Sequence, residues 1–97
     1  MSRDEVLNIL REHTEELRTK YRVKFLGLFG SVARDEATET SDVDLTVEFE
    51  NGQDLFGYID TKEYLEKILG ISVDLVSRGR IKKRIREQIL AEEIPVG

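Results

Sequence analysis

Cysteine is absent from the 97-residue chain, which excludes disulfides, thiolate metal sites and cysteine nucleophiles and leaves the compartment open. Tryptophan is also absent, the only proline is Pro95, and the only histidine is His13. No apolar run approaches the length of a membrane span, and the opening "MSRDEVLNILREH" is a charged amphipathic segment without a signal-peptide core. A cytoplasmic protein without membrane contact is therefore expected. Basic residues do not dominate: the net charge is −5, which argues against nucleic acid as a direct ligand. Asn and Gln are few and Glu, Lys and Arg many, a composition that leans toward a thermophilic source.

What the chain does have is 39% hydrophobic and 36% charged residues, the composition of a well-solvated globular protein. One domain over residues 1–97 is expected, too small to add a separate substrate domain, so much of the acceptor surface would belong to another molecule. Charge is unevenly spread. Arg78, Arg80, Lys82, Lys83, Arg84 and Arg86 crowd near the C-terminus, while acids dominate from Asp35 to Glu66.

Val6, Leu10, His13, Leu17 and Tyr21 recur at helical spacing, predicting a helix over about 3–21. "VKFLGLF", Val23 to Phe29, reads as a buried strand ending at Gly30, followed by a short helix from Ser31 to about Ala37 and a polar connection over Thr38 to Ser41. "DVDLTVEF" alternates: Val43, Leu45, Val47 and Phe49 face a core, while Asp42, Asp44, Thr46 and Glu48 face water. Asn51-Gly52 would end that strand. A helix over about 53–69 would bury Leu55, Ile59, Leu65, Ile68 and Leu69 and stop at Gly70. "ISVDLVS" gives a third strand, and Arg80 to about Glu93 a last helix with Ile81, Ile85 and Ile89 as its apolar stripe. Ile94 and Val96 follow it and are left to dock on the domain or on a second subunit. The fold class is α/β (α+β), with a mixed sheet of at least three strands flanked by helices.

Chemistry concentrates between Phe29 and Asp74. Asp42 and Asp44 project to one side of a strand, about 7 Å apart along it, and their oxygens suit hard cations. Asp74 repeats the arrangement between Val73 and Leu75, so neighbouring strands would bring three carboxylates to one face. Such a cluster repels itself unless a cation sits there, and two magnesium ions would both relieve it and serve an in-line phosphoryl or nucleotidyl displacement. Gly30 lets backbone approach a phosphate, and Ser31 opens a helix whose N–H groups and hydroxyl suit a polyphosphate. Arg34 lies one turn further on.

Gly30-Ser31, ten residues, then Asp42-x-Asp44, within "GSVAR" and "SDVDL", resembles the signature of the polymerase-β-like nucleotidyltransferase superfamily, and the short chain resembles its minimal nucleotidyltransferase (MNT) branch. The resemblance runs from about Phe25 to Ser77, with Asp74 matching the family's third carboxylate. It implies the nucleotidyltransferase fold and transfer of AMP from ATP with Mg2+ and release of pyrophosphate. By position, Gly30 and Ser31 would hold the triphosphate, Asp42 and Asp44 the metals, and Asp74 would complete the metal site and act as general base. The resemblance further implies an antitoxin that adenylylates a tyrosine of a HEPN-type toxin and forms a hetero-oligomer with it. Asp35 and Val32 depart from the family, which often has Gly after the motif arginine and a basic residue after the serine.

Plainer roles stand beside these. Ser31 fits a helix N-cap; Asp42 and Asp44 fit the wet face of a strand, although Asp is depleted in strands. Arg34 suits a surface ion pair with Asp35, Glu36 or Glu39 as well as a phosphate. His13 suits a packed, hydrogen-bonded position. A Ser31–His13 hydrolase lacks the glycine of a nucleophile elbow, and an EF-hand would need Gly where Val47 stands. The basic run fits a solvated helix face or a contact with phosphate, RNA or an acidic partner. The rival function is a non-catalytic antitoxin that neutralises its toxin by binding alone; three acids in register favour catalysis. Transfer to a small molecule or nucleic acid finds no second domain to form an acceptor pocket.

Overall fold

The computed structural model describes residues 1–50 and 54–97. Helices α1 (Arg3–Glu12) and α2 (Thr14–Thr19) lead into β1 (Val23–Phe29), the one-turn α3 (Gly30–Ala33), β2 (Val43–Phe49), α4 (Leu55–Leu69) and β3 (Val73–Ser77). A 3-10 turn at Arg78–Arg80, α5 (Lys83–Glu92) and β4 (Ile94–Pro95) complete the chain. The sheet runs β3-β2-β1-β4, with β1 antiparallel to β2 and β4 and β3 parallel to β2. A mixed sheet flanked by helices is thus observed, with one strand more than the minimum expected. No helix among the described residues is long and apolar enough to cross a membrane.

The alternation of β1 to β3 sorts the sheet into two faces. Leu26, Leu28, Val43, Leu45, Val47, Val73 and Leu75 are buried on one, packed in a single cluster with Val6, Leu10, Leu17, Leu65 and Leu69 from the helices. Burying side chains of this size contributes roughly 1.5–3 kcal/mol each and accounts for the cohesion of the domain. The opposite face carries Phe25, Gly27, Phe29, Asp44, Thr46, Glu48, Asp74 and Val76.

Several expectations from local pattern are corrected. The first helix is broken at His13, whose N–H turns to Leu10 O while its ring Nδ1 lies 2.7 Å from Ile9 O, occupying the carbonyl that a continuing helix would use. That ring is half-buried, edge-on to Tyr64, so the packed role holds. Helix α3 stops at Ala33 rather than near Ala37, followed by Asp35 at φ 60. Thr46, expected on a wet face, is fully buried because Glu93 closes over it.

In α4, Thr61, Leu65 and Leu69 are buried and Ile68 packs on the core, but Leu55 and Ile59 remain 68% and 40% exposed. The helix is capped by Asp54 and ends at Gly70 in the left-handed conformation, as its stop signal required. The turn expected at Asn51-Gly52, and the helix start at 53, lie outside the described residues. Helix α5 begins later than expected and buries nothing: Ile81 is buried ahead of it, Ile85 is exposed and Ile89 half-buried. The reason is that α5 lies near the polar face of the sheet, where Glu48 and Arg78 line a shallow cleft with Arg86 and Leu90. Val96 docks on this domain itself, its N–H bonded to Leu26 O beside β4.

Candidate active site

Strand β1 ends where Gly30 turns the chain into α3. Gly30 has φ 76, a conformation that L side chains rarely adopt, and a Cβ there would lie 2.1 Å from Asp44 Oδ2. The glycine is therefore required twice, by its backbone and by the carboxylate filling the space where its side chain would be. Phe29 pairs with Asp44 across the antiparallel ladder, which fixes that approach.

Asp44 in turn is the Cα partner of Asp74 on the parallel strand, so the two project from neighbouring positions on one face. Asp44 is half-buried; Asp42, just before β2, and Asp74 are exposed. Burial pushes the Asp44 carboxyl above its ordinary value, and the charges of Asp74 and then Asp42 push the same way, while Arg34 opposes them. Asp74 and Asp42 thus both act electrostatically on Asp44.

Among the described residues no three Asp, Glu, His or Cys side chains close into a ready metal cage. The donor set still suits a hard divalent cation: it is all carboxylate, it opens to solvent at Asp42 and Asp74, and its central member is held in a field that a cation would relieve. Asp42, Asp44 and Asp74 are the candidate residues that would hold such an ion if one binds.

Ser31 is not the N-cap of α3. That position is Phe29, no side chain caps the helix, and Ser31 Oγ makes no hydrogen bond among the described residues. Arg34 is exposed and ion-paired: Nη1 reaches Glu92 Oε1 and Oε2 at 3.2 and 3.1 Å, and Nε reaches Glu36 Oε2 at 3.4 Å. Glu36 was among the pairings open to it; Glu92, 58 residues away, was not foreseeable from spacing.

The adjoining residue, Glu93, also went unread in the sequence. Its carboxylate accepts from Thr46 Oγ1 and from Arg78 Nη2, and Arg78 also reaches Glu48 at 2.6 Å while stacking 4.2 Å over the Phe25 ring. Gly27 makes room: a Cβ there would lie 2.5 Å from Glu93 Cγ. Thr46 is two residues from Asp44 on the same face, and that spacing was the one sequence signal for the network. A cleft of about 620 Å3 beyond β3, lined by Phe49, Leu55, Tyr58 and Arg80 among others, includes none of the site residues.

The sheet order, the short glycine-led helix and the facing acids have the architecture of a nucleotidyltransferase fold. The family model described as "Nucleotidyltransferase domain" matches residues 10–96. The protein adenylyltransferase MntA of Thermococcus cleftensis is 43% identical over 93 residues, covering 96% of this chain and 94% of that protein. A solved minimal nucleotidyltransferase structure superposes with a TM-score of 0.83 at 43% identity, covering 98% of this chain and 96% of the other. A chain from the complex of tri-AMPylated Shewanella oneidensis HEPN toxin with MNT antitoxin shares the fold at a TM-score of 0.66 and 17% identity, covering 94% and 71%. The chain belongs to the nucleotidyltransferase domain family, in its minimal branch, and is a nucleotidyltransferase by class.

Proposed function

We propose that this protein transfers AMP from ATP to a tyrosine hydroxyl of a HEPN-type partner protein, with which it forms a hetero-oligomer in the cytoplasm, and that this silences the partner as a toxin. The observation that carries the reading is the seating of Asp44 in the space vacated by Gly30, in register with Asp74. The likeness to protein adenylyltransferase MntA supports the reaction, and the fold shared with an MNT antitoxin supports the partner class.

In this proposal Gly30 and the uncapped start of α3 receive the triphosphate, with the unpartnered Ser31 hydroxyl as a further donor. Arg34 exchanges a carboxylate partner for phosphate. Asp42, Asp44 and Asp74 hold Mg2+, two ions in the full site, and these would supply Lewis-acid stabilisation of the phosphate charge. Asp74, the exposed member, accepts the proton as the tyrosine oxygen bonds to the α-phosphorus of ATP and the bond to pyrophosphate breaks.

The test is the intact mass of a HEPN-type protein from the same organism after incubation with this protein, ATP and Mg2+, run beside Asp44→Asn. Increments of whole AMP that require Asp44 support transfer. An unchanged mass with a stable complex, and protection that survives Asp44→Asn, would instead make the protein an antitoxin acting by binding alone.

A further inference from the structure

Helix α5 is the one helix of eight or more residues among those described that has no buried residue. Ile85 and Leu90 are 43% and 37% exposed on it, with Ile89 half-buried. Around them Arg80, Lys82, Lys83, Arg84 and Arg86 are exposed, and none forms an ion pair among the described residues. Ile85 and Ile89 form one stripe, and Lys82, Arg86 and Leu90 the stripe beside it.

Taken alone this helix is poorly stabilised. Lys82 occupies its N-cap without a side-chain hydrogen bond, its first turn has no acid, and Lys83 and Arg84 oppose the helix dipole there. Ten residues are marginal for an isolated helix. Its C-terminal end, by contrast, is tied to the candidate site: Glu92 holds Arg34, and the next residue, Glu93, reaches Thr46.

From this we infer that the exposed surface of α5, together with the cleft that Arg86 and Leu90 border, is the surface that docks the acceptor protein, through an acidic patch on that protein surrounding an aliphatic contact. The inference rests on the proposed transfer reaction only for the identity of the acceptor. Charge selects the site: on a chain of net charge −5 an acidic partner is repelled by the general surface and attracted where five unpaired cations gather. Side-chain type selects protein over nucleic acid, because Ile85 and Leu90 are aliphatic and offer no ring on which bases stack. Docking here brings the acceptor to the Arg34 end of the site. It also supplies carboxylates to a helix start that lacks them.

The test compares wild type, the charge reversal Lys83→Glu/Arg84→Glu/Arg86→Glu, and Ile85→Asp for binding to the HEPN-type protein and for KM toward it. The expected result is a rise of at least tenfold in Kd or KM for both variants. The wild-type affinity should fall steeply with salt, that dependence should flatten in the charge reversal, and the Kd of a non-hydrolysable ATP analogue and the melting temperature should stay unchanged. Wild-type affinity in both variants, no complex with wild type, or loss of nucleotide binding in parallel with acceptor binding would overturn it. So would charge-dependent binding of a short single-stranded RNA with acceptor binding untouched. A complex broken by the charge reversal, but never modified even by wild type, would retain this surface and remove the transfer reaction; modification at wild-type KM in both variants would do the reverse.

Discussion

At the scale of single residues, Gly30 and Asp44 constrain each other. Gly30→Ala forces a Cβ to within 2.1 Å of Asp44 Oδ2 in a left-handed backbone. Strain of this kind costs about 1–3 kcal/mol, so denaturant titration should show that loss together with a fall in transfer rate as Asp44 is displaced. Asp44→Asn should act in opposite directions on stability and activity. Because the Asp44 carboxyl is raised in the fold, chiefly by burial, its contribution to stability is fully present below its ordinary value of 3.8 and is lost as pH rises through the folded value. At pH 7, with metal chelated, the Asn variant should melt above wild type, and the two melting curves should converge in acid. AMP transfer should fall at least ~100-fold, since even residues that only support a metal ligand typically cost about 10–100-fold.

At the scale of elements, the second face of the sheet is held to the C-terminal segment by buried polar groups instead of apolar packing. Thr46→Val keeps the shape but takes one donor from Glu93, which is largely buried. The expected cost is about 1–3 kcal/mol, with faster amide exchange at Val96, and calorimetry with hydrogen exchange would measure both. Gly27→Ala should be at least as damaging, because its Cβ meets both Glu93 and Thr46. Beyond the spacing that puts Thr46 on the face of Asp44, the sequence announced little of this. Thr46 reads as wet in an alternating strand, and only a glutamate 47 residues later turns it into a buried donor.

Across the whole molecule, burial is lopsided: the helical layer packs one face of the sheet, whereas α5 lies near the other without entering any core. Opening free energies should be just as uneven. Native-state exchange should find Leu26, Leu28 and Leu45, on the paired central strands, opening only with global unfolding. The amides of α5 should exchange by local opening at a much lower cost and become protected when the acceptor protein binds. Equal protection of α5 and β1 in the free protein would count against its being an unfinished surface.

Much of the candidate site was legible in the chain because its placement depends on local rules. Strand alternation puts Asp44 opposite Val43 and Leu45, Gly70 and Pro95 punctuate the helices, and the Gly30-Ser31 to Asp42-x-Asp44 spacing identifies the family. These follow from periodicity and backbone stereochemistry, which act over a few residues. Tertiary structure alone decided that Asp74 stands in register with Asp44, that Asp44 occupies the side-chain space of Gly30, and that Glu92 holds Arg34. It also decided that His13 breaks the first helix and that α5 is left uncovered. The physical reason is the same in each case. Register, close approach and burial are set by contacts between segments remote in the chain, and no local pattern specifies which distant side chain will arrive.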